Sequence, residues 1–256
     1  MQHKSQQLLH NNMKAITKTI IWLTLFSIAM GFMETVIVVY LRKIYYPGGF
    51  QFPLVPIDAD IAVAEFLREA ATIIMLLGVG ILAGKRASQK FAFFIYCFAV
   101  WDIFYYIFLK LLLNWPESLY TWDILFLIPV PWVGPVLAPC IVSITMIVFT
   151  LSIVYFQEKG MVTKIKLKEW LLFITGSLII ILSFVWDYFQ HAHQLHSNQS
   201  IWTLSSKESM FKEIEHFIPT NYNWSIFTIG QLIIVLGIVL FIKRVKNENR
   251  LPNNMV

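Results

Sequence analysis

The sequence predicts an all-α integral membrane protein: a bundle of six transmembrane helices with a proline- and tryptophan-rich re-entrant or interfacial segment on its outer side. Three observations predict it. Of 256 residues, 57% are hydrophobic and 14% charged, whereas a soluble domain carries about 25% charged residues. The apolar residues gather into six runs, each near the roughly 20 residues that a helix needs to cross a bilayer. The charged residues fall mostly in the connections between those runs. Little chain is left for a soluble domain, so residues 19–242 are read as one membrane domain between polar tails, 1–18 and 243–256.

The first run, residues 19–41, is too long for a signal-peptide core and lacks a small-residue cleavage site, which predicts a retained helix. Thr24, Ser27, Gly31 and Glu34 recur along one of its faces. That face should meet other helices, because Glu34 in lipid is costly. Residues 42–63 contain three prolines and a Gly-Gly pair and read as a structured connection. The second helix, 64–84, carries Glu65, Arg68, Glu69 and Thr72 at helical spacing, so Arg68 reaches Glu65 within its own helix. The third, 91–113, sets Asp102, Tyr105, Tyr106 and Lys110 along one side.

Residues 114–138 then hold Pro116, Pro129, Pro131 and Pro135 among three tryptophans. Their apolar part is too short to span, and proline breaks helical hydrogen bonding. At membrane depth, irregular backbone survives only when it is buried in protein or lines a cavity. A lid is therefore expected here. The fourth and fifth helices, 136–156 and 170–191, follow, and the fifth ends with Asp187 and His191 one turn apart. Within the long connection before the sixth helix (224–242), residues 205–217 read as a short amphipathic helix. Ser205 and Glu208 have capping-box spacing there.

Orientation follows from the basic residues. Fourteen of the 20 Lys and Arg lie in the two tails and in the second and fourth connections. Positive charge marks the cytoplasmic side, so both termini are expected in the cytoplasm, of a bacterial inner or plasma membrane. Glu34, Arg68, Glu69, Asp102, Asp187 and His191 then fall in the outer half. This predicts an outward-facing polar pocket roofed by residues 42–63 and 114–138.

The net charge of +5 does not indicate a nucleic-acid partner, because the basic residues form short clusters beside apolar runs and no basic face. The expected partners are the lipid bilayer and a lipid-like ligand. Glu34 and Asp102 are the candidate catalytic groups, since a carboxyl in an apolar setting suits acid–base work. Arg68, Glu69, Tyr105, Tyr106, Asp187 and His191 are the candidate substrate-binding residues. Asp187 with His191, His193 and His196 offers side chains of metal-ligating type. The HxH spacing splays two of the rings and no HExxH pattern is present, so no metal is assigned. No residue pattern specifies a cofactor.

Three of the five aspartates follow a tryptophan, at 101–102, 122–123 and 186–187. Each such pair is suited to set an indole at the interface and a carboxyl into the pocket. Three function classes fit: an enzyme acting on a lipid-like or isoprenoid substrate, a carrier for a small solute or protons, and an accessory subunit whose buried charges only lock the bundle.

Overall fold

The computed structural model describes residues 2–126, 130–195 and 217–248. Six helices carry most of the described chain: α1 (Gln2–Tyr45), α2 (Ala59–Ala83), α3 (Ala87–Leu113), α4 (Leu137–Glu158), α5 (Leu167–Leu195) and α6 (Trp224–Glu248). Each contains an apolar span of 22 to 30 residues, long enough to cross a bilayer. The protein is a multi-pass membrane protein, and its environment is lipid. Its outward faces agree: Leu82, Leu111, Ile74 and Leu167 are among the most exposed side chains, as a lipid-facing belt requires.

Several helices run longer than their apolar cores. The amino-terminal stretch, expected as a tail, continues α1 back to Gln2. It contains no proline or glycine, and its Gln, Leu, Lys, Met and Ala are good helix formers. α2 begins at Ala59 rather than near 64, because nothing after Pro56 breaks the helix. Residues 205–216, which hold Ser205, Glu208 and all of the expected amphipathic segment but Phe217, lie outside the described residues, as does His196.

α3 is the hub, packing against α1, α2 and α4, while α5 and α6 form a tight pair that meets the others through α4. Two close approaches fix this. At Gly176 and Gly230 the backbones of α5 and α6 touch: a Cβ on either would stand within 3 Å of the other's carbonyl oxygen. A Cβ on Gly80 of α2 would lie 2.8 Å from the Phe94 amide nitrogen of α3. Among the described side chains of α2, the buried ones (Thr72, Leu76, Gly80) lie in its second half. The α2–α3 pair is thus closed at the end holding the 84–86 and 159–166 connections and opens as a wedge toward the other.

That other end is covered by the two segments expected as a roof. The 114–138 segment folds into an antiparallel hairpin, β1 (Trp122–Phe126) with β2 (Trp132–Pro135), pairing Trp122 with Pro135 and Ile124 with Val133. The expected lid thus resolves into a small sheet, in which the facing backbone groups of the two strands pair with each other. Asn114 ends α3 in the left-handed conformation (φ 53°), which asparagine tolerates. The Lys110 ammonium donates to the Asn114 and Pro116 carbonyls at 3.2 and 3.0 Å. Amides of Val136 and Leu137 then donate to Thr121 and Leu119, tying the hairpin to the start of α4. In the 46–58 connection the Tyr46 hydroxyl accepts from the Val55 amide at 2.8 Å, and Phe50 packs edge-on against Trp115.

Candidate functional site

Between the wedge of α2 and α3 and the α5–α6 pair lies a cavity of about 460 Å³. Each helix contributes one stripe to it. From α1 come Glu34, Val38, Leu41, Arg42 and Tyr45, which share one helical face; from α2, Glu65, Arg68, Glu69 and Thr72. The α3 stripe runs from Phe91 through Ile95, Phe98 and Asp102 to Tyr106. Fifteen residues of helix make that stripe roughly 22 Å long. The cavity is polar at the roofed end and apolar at the other, where Phe91, Phe149, Phe173 and Ile238 line it. Tyr46, Phe50 and Ile57 of the connection and Asp123 through Phe126 with Trp132 of the hairpin close its polar end.

Six of the eight sequence-predicted site residues come together here: Glu34, Arg68, Glu69, Asp102, Tyr105 and Tyr106. Glu34 and Asp102 each stand eleven residues below the roofed end of their helix, about 16 Å by helical rise. Arg68 donates to Glu65 through Nε at 2.8 Å and also grips Glu34, so one guanidinium spans two carboxylates and ties α1 to α2. Glu69 lines the cavity one residue further on. The Ser143 hydroxyl of α4 donates to Asp102 at 2.8 Å.

Asp187 and His191 do not line the cavity. Asp187 is buried and accepts from the Thr220 amide at 2.9 Å, pinning the chain that leads into α6. His191 stacks edge-on against buried Phe217. Among the described residues no three His, Cys, Asp or Glu side chains converge as a metal group would require. Cys97 and Cys140 are both free thiols.

The structure adds an ion pair that the sequence reading did not assemble. Arg42, one turn from the end of α1, meets Asp123 of β1 end-on, Nη2 to Oδ1 at 3.4 Å, and both residues are buried. The Arg42 guanidinium lies between aromatic rings, 3.8 Å from the Trp115 centroid and 4.5 Å from that of Phe50. Burial pushes the Asp123 carboxyl above the usual carboxylate range, and the Arg42 charge pulls it back down. The Tyr106 hydroxyl and the Ile124 amide favour its charge from nearby. Even so, Oδ2 has no hydrogen-bond partner among the described residues, and neither has Arg42 Nη1.

Both residues carried a signal in the sequence. Arg42 is a cation outside the four basic clusters of the tails and the second and fourth connections, and Asp123 belongs to the second Trp-Asp pair. Asp102 and Asp123 both line the cavity, together with Trp101 but not Trp122, whereas Asp187 serves the chain before α6. Ser143 and Thr145 of α4 also line the cavity.

Comparison with known proteins finds no family model that matches the chain, no curated protein similar to it and no solved structure similar to it.

Proposed function

We propose that the protein binds an amphiphilic, lipid-like molecule within the bilayer and acts on it by acid–base chemistry, with Glu34 and Asp102 as the proton-transferring groups. The observation that carries this reading is the shape of the cavity's chemistry: one continuous space joins a carboxylate- and arginine-lined end to an aromatic and aliphatic end. An elongated amphiphile such as an isoprenoid matches both. A charged residue at membrane depth costs at least about 2.5 kcal/mol even on the lenient insertion scale. Packing alone does not account for carboxylates on three helices facing a cavity. Asp102, held by Ser143, and Glu34, held by Arg68, are oriented toward the same space, as general acid–base catalysis needs. Tyr105 and Tyr106 border the polar end.

The roofed end faces outward in this reading, with both termini in the cytoplasm. Its support is the concentration of Lys and Arg in the 84–86 and 159–166 connections and their flanks. A cysteine introduced at Ser118 should then react with an impermeant maleimide from outside intact cells; protection there, with labelling at Gly160→Cys, would reverse the topology.

A second, narrower reading concerns Arg68. Its bridge from Glu65 to Glu34 joins two helices that otherwise splay, which favours a locking role for this arginine beside the chemistry of the others.

The test uses protein extracted from native membranes into nanodiscs and analysed by mass spectrometry. Wild type should carry about one amphiphile per chain, and the cavity-filling variants Ile181→Trp and Ile234→Trp should lose it while still folding. If Asp102 is catalytic, Asp102→Asn should accumulate a single unconverted species of different mass from that on wild type. Identical bound species on both would favour a carrier, and empty protein in every preparation would end the proposal.

A further inference from the structure

Four buried polar atoms on residues that line this cavity have no hydrogen-bond partner among the described residues, and two of them belong to one ion pair. They are Arg42 Nη1, Asp123 Oδ2, Trp101 Nε1 and Gln231 Oε1. The identity of the last atom is fixed locally. The Thr145 hydroxyl donates its proton to the Ile141 carbonyl, so it accepts from the Gln231 amide nitrogen and leaves the amide oxygen over. The four are two donors and two acceptors. A buried polar atom without a partner costs about 1–3 kcal/mol, so each calls for a complementary atom from whatever fills the space.

The charges narrow the choice. Five carboxylates and two arginines line the cavity, with no lysine or histidine among the lining residues. Both arginines are already held, Arg68 by Glu34 and Glu65, and Arg42 by Asp123. An anionic head such as a phosphate therefore finds no free cation, and it would set its charge beside Asp123. A cationic head offers donors only, which leaves Arg42 Nη1 unanswered and adds a positive charge beside it. A neutral group that both donates and accepts answers Arg42 and Asp123 together without disturbing their pairing.

Resting on the amphiphile reading above, we infer that the cavity takes a lipid-like alcohol, its hydroxyl accepting from Arg42 and donating to Asp123, and turns away phosphate-headed lipids. This gives a site open to a phospholipid bilayer a physical means of excluding that bilayer's own components.

The test compares three probes of one tail in full-length protein reconstituted in nanodiscs: farnesol, farnesyl phosphate and farnesylamine. Binding is read by quenching of tryptophan fluorescence and by the rise in melting temperature. Farnesol should bind at least tenfold more tightly than either charged analogue. In Asp123→Asn the unopposed Arg42 should shift preference toward the phosphate, and in Arg42→Gln toward the amine. The double variant, which buries no lone charge, should keep farnesol first. Equal or tighter binding of a charged analogue by the unaltered protein would overturn the head-group inference and leave the amphiphile reading standing. Binding of none of the three would remove both.

Discussion

Two arginine–carboxylate pairs sit at opposite ends of the bundle, and they differ in what they leave unfinished. At the closed end, Arg244 of α6 meets Glu169 of α5 side-on, Nε to Oε1 at 2.6 Å and Nη2 to Oε2 at 2.8 Å. The same guanidinium donates to Glu248 at 2.9 Å and to the Lys164 carbonyl at 2.8 Å, and Glu169 also accepts from the Lys166 amide. Every atom of that pair has work inside the protein. At the roofed end, Arg42 and Asp123 touch through one atom each, and the second atom of each, on a residue that lines the cavity, has no hydrogen-bond partner among the described residues. A saturated pair locks helices; an unsaturated one is shaped for something else. The packing follows suit, with a core of Phe149, Phe156, Phe241 and Val245 at the closed end and the cavity's polar lining at the other.

The largest expected effect lies at the closed end. Glu169→Ala should destabilise by about 2 kcal/mol in reversible detergent unfolding, less than a sealed pair because Arg244 reaches solvent. The paired change Arg42→Gln with Asp123→Asn should cost under about 1 kcal/mol, since little hydrogen bonding is lost. Equal losses would erase the contrast between the pairs.

Next in size is backbone contact. Gly80→Ala drives a methyl into the α3 backbone and should cost about 1–3 kcal/mol. Gly78→Ala, with nothing near its added methyl, should be neutral or stabilising. Melting temperatures of the two variants separate a closed helix pair from an open one.

Smaller still, Asp102→Asn keeps an acceptor for Ser143 and should change stability by less than about 1 kcal/mol while abolishing turnover. A large loss of stability would move Asp102 to the locking class.

The smallest effect is in pH. Burial raises the Asp123 carboxyl above its value in the unfolded chain. For such an acid the folded state binds the proton more tightly, so its stability contribution is full at low pH and is lost as pH rises through the folded value. Wild type should therefore gain stability relative to Asp123→Asn on acidification from neutral toward the carboxylate range. A difference that moves the other way would show the Arg42 charge outweighing burial.

The sequence announced the six helices because apolar length is a local property, and the lipid-facing belt needs no partner to be recognised. It also grouped Glu34, Arg68, Glu69 and Asp102, since helical periodicity and a common depth bring them together. It did not pair Arg42 with Asp123, which are 81 positions apart and meet only because the hairpin folds over α1. Nor did it separate Asp187 from the site: depth alone cannot say which face of α5 a residue takes. WDIFYYIF and WDILFLIP look alike, yet the first is helix in α3 and the second opens as strand β1. Local pattern yields there to proline content and to tertiary context.

The central claim is that an amphiphile lies along the cavity with its head at Arg42 and Asp123 and its tail between α4, α5 and α6. A farnesol analogue carrying a photoreactive diazirine at its tail tests this in nanodiscs, with crosslinked peptides identified by mass spectrometry. The account predicts labels within residues 142–149, 173–181 and 231–238, lost in Ile234→Trp. Labels confined to lipid-facing side chains such as Leu82 and Leu178, unchanged in that variant, would contradict it.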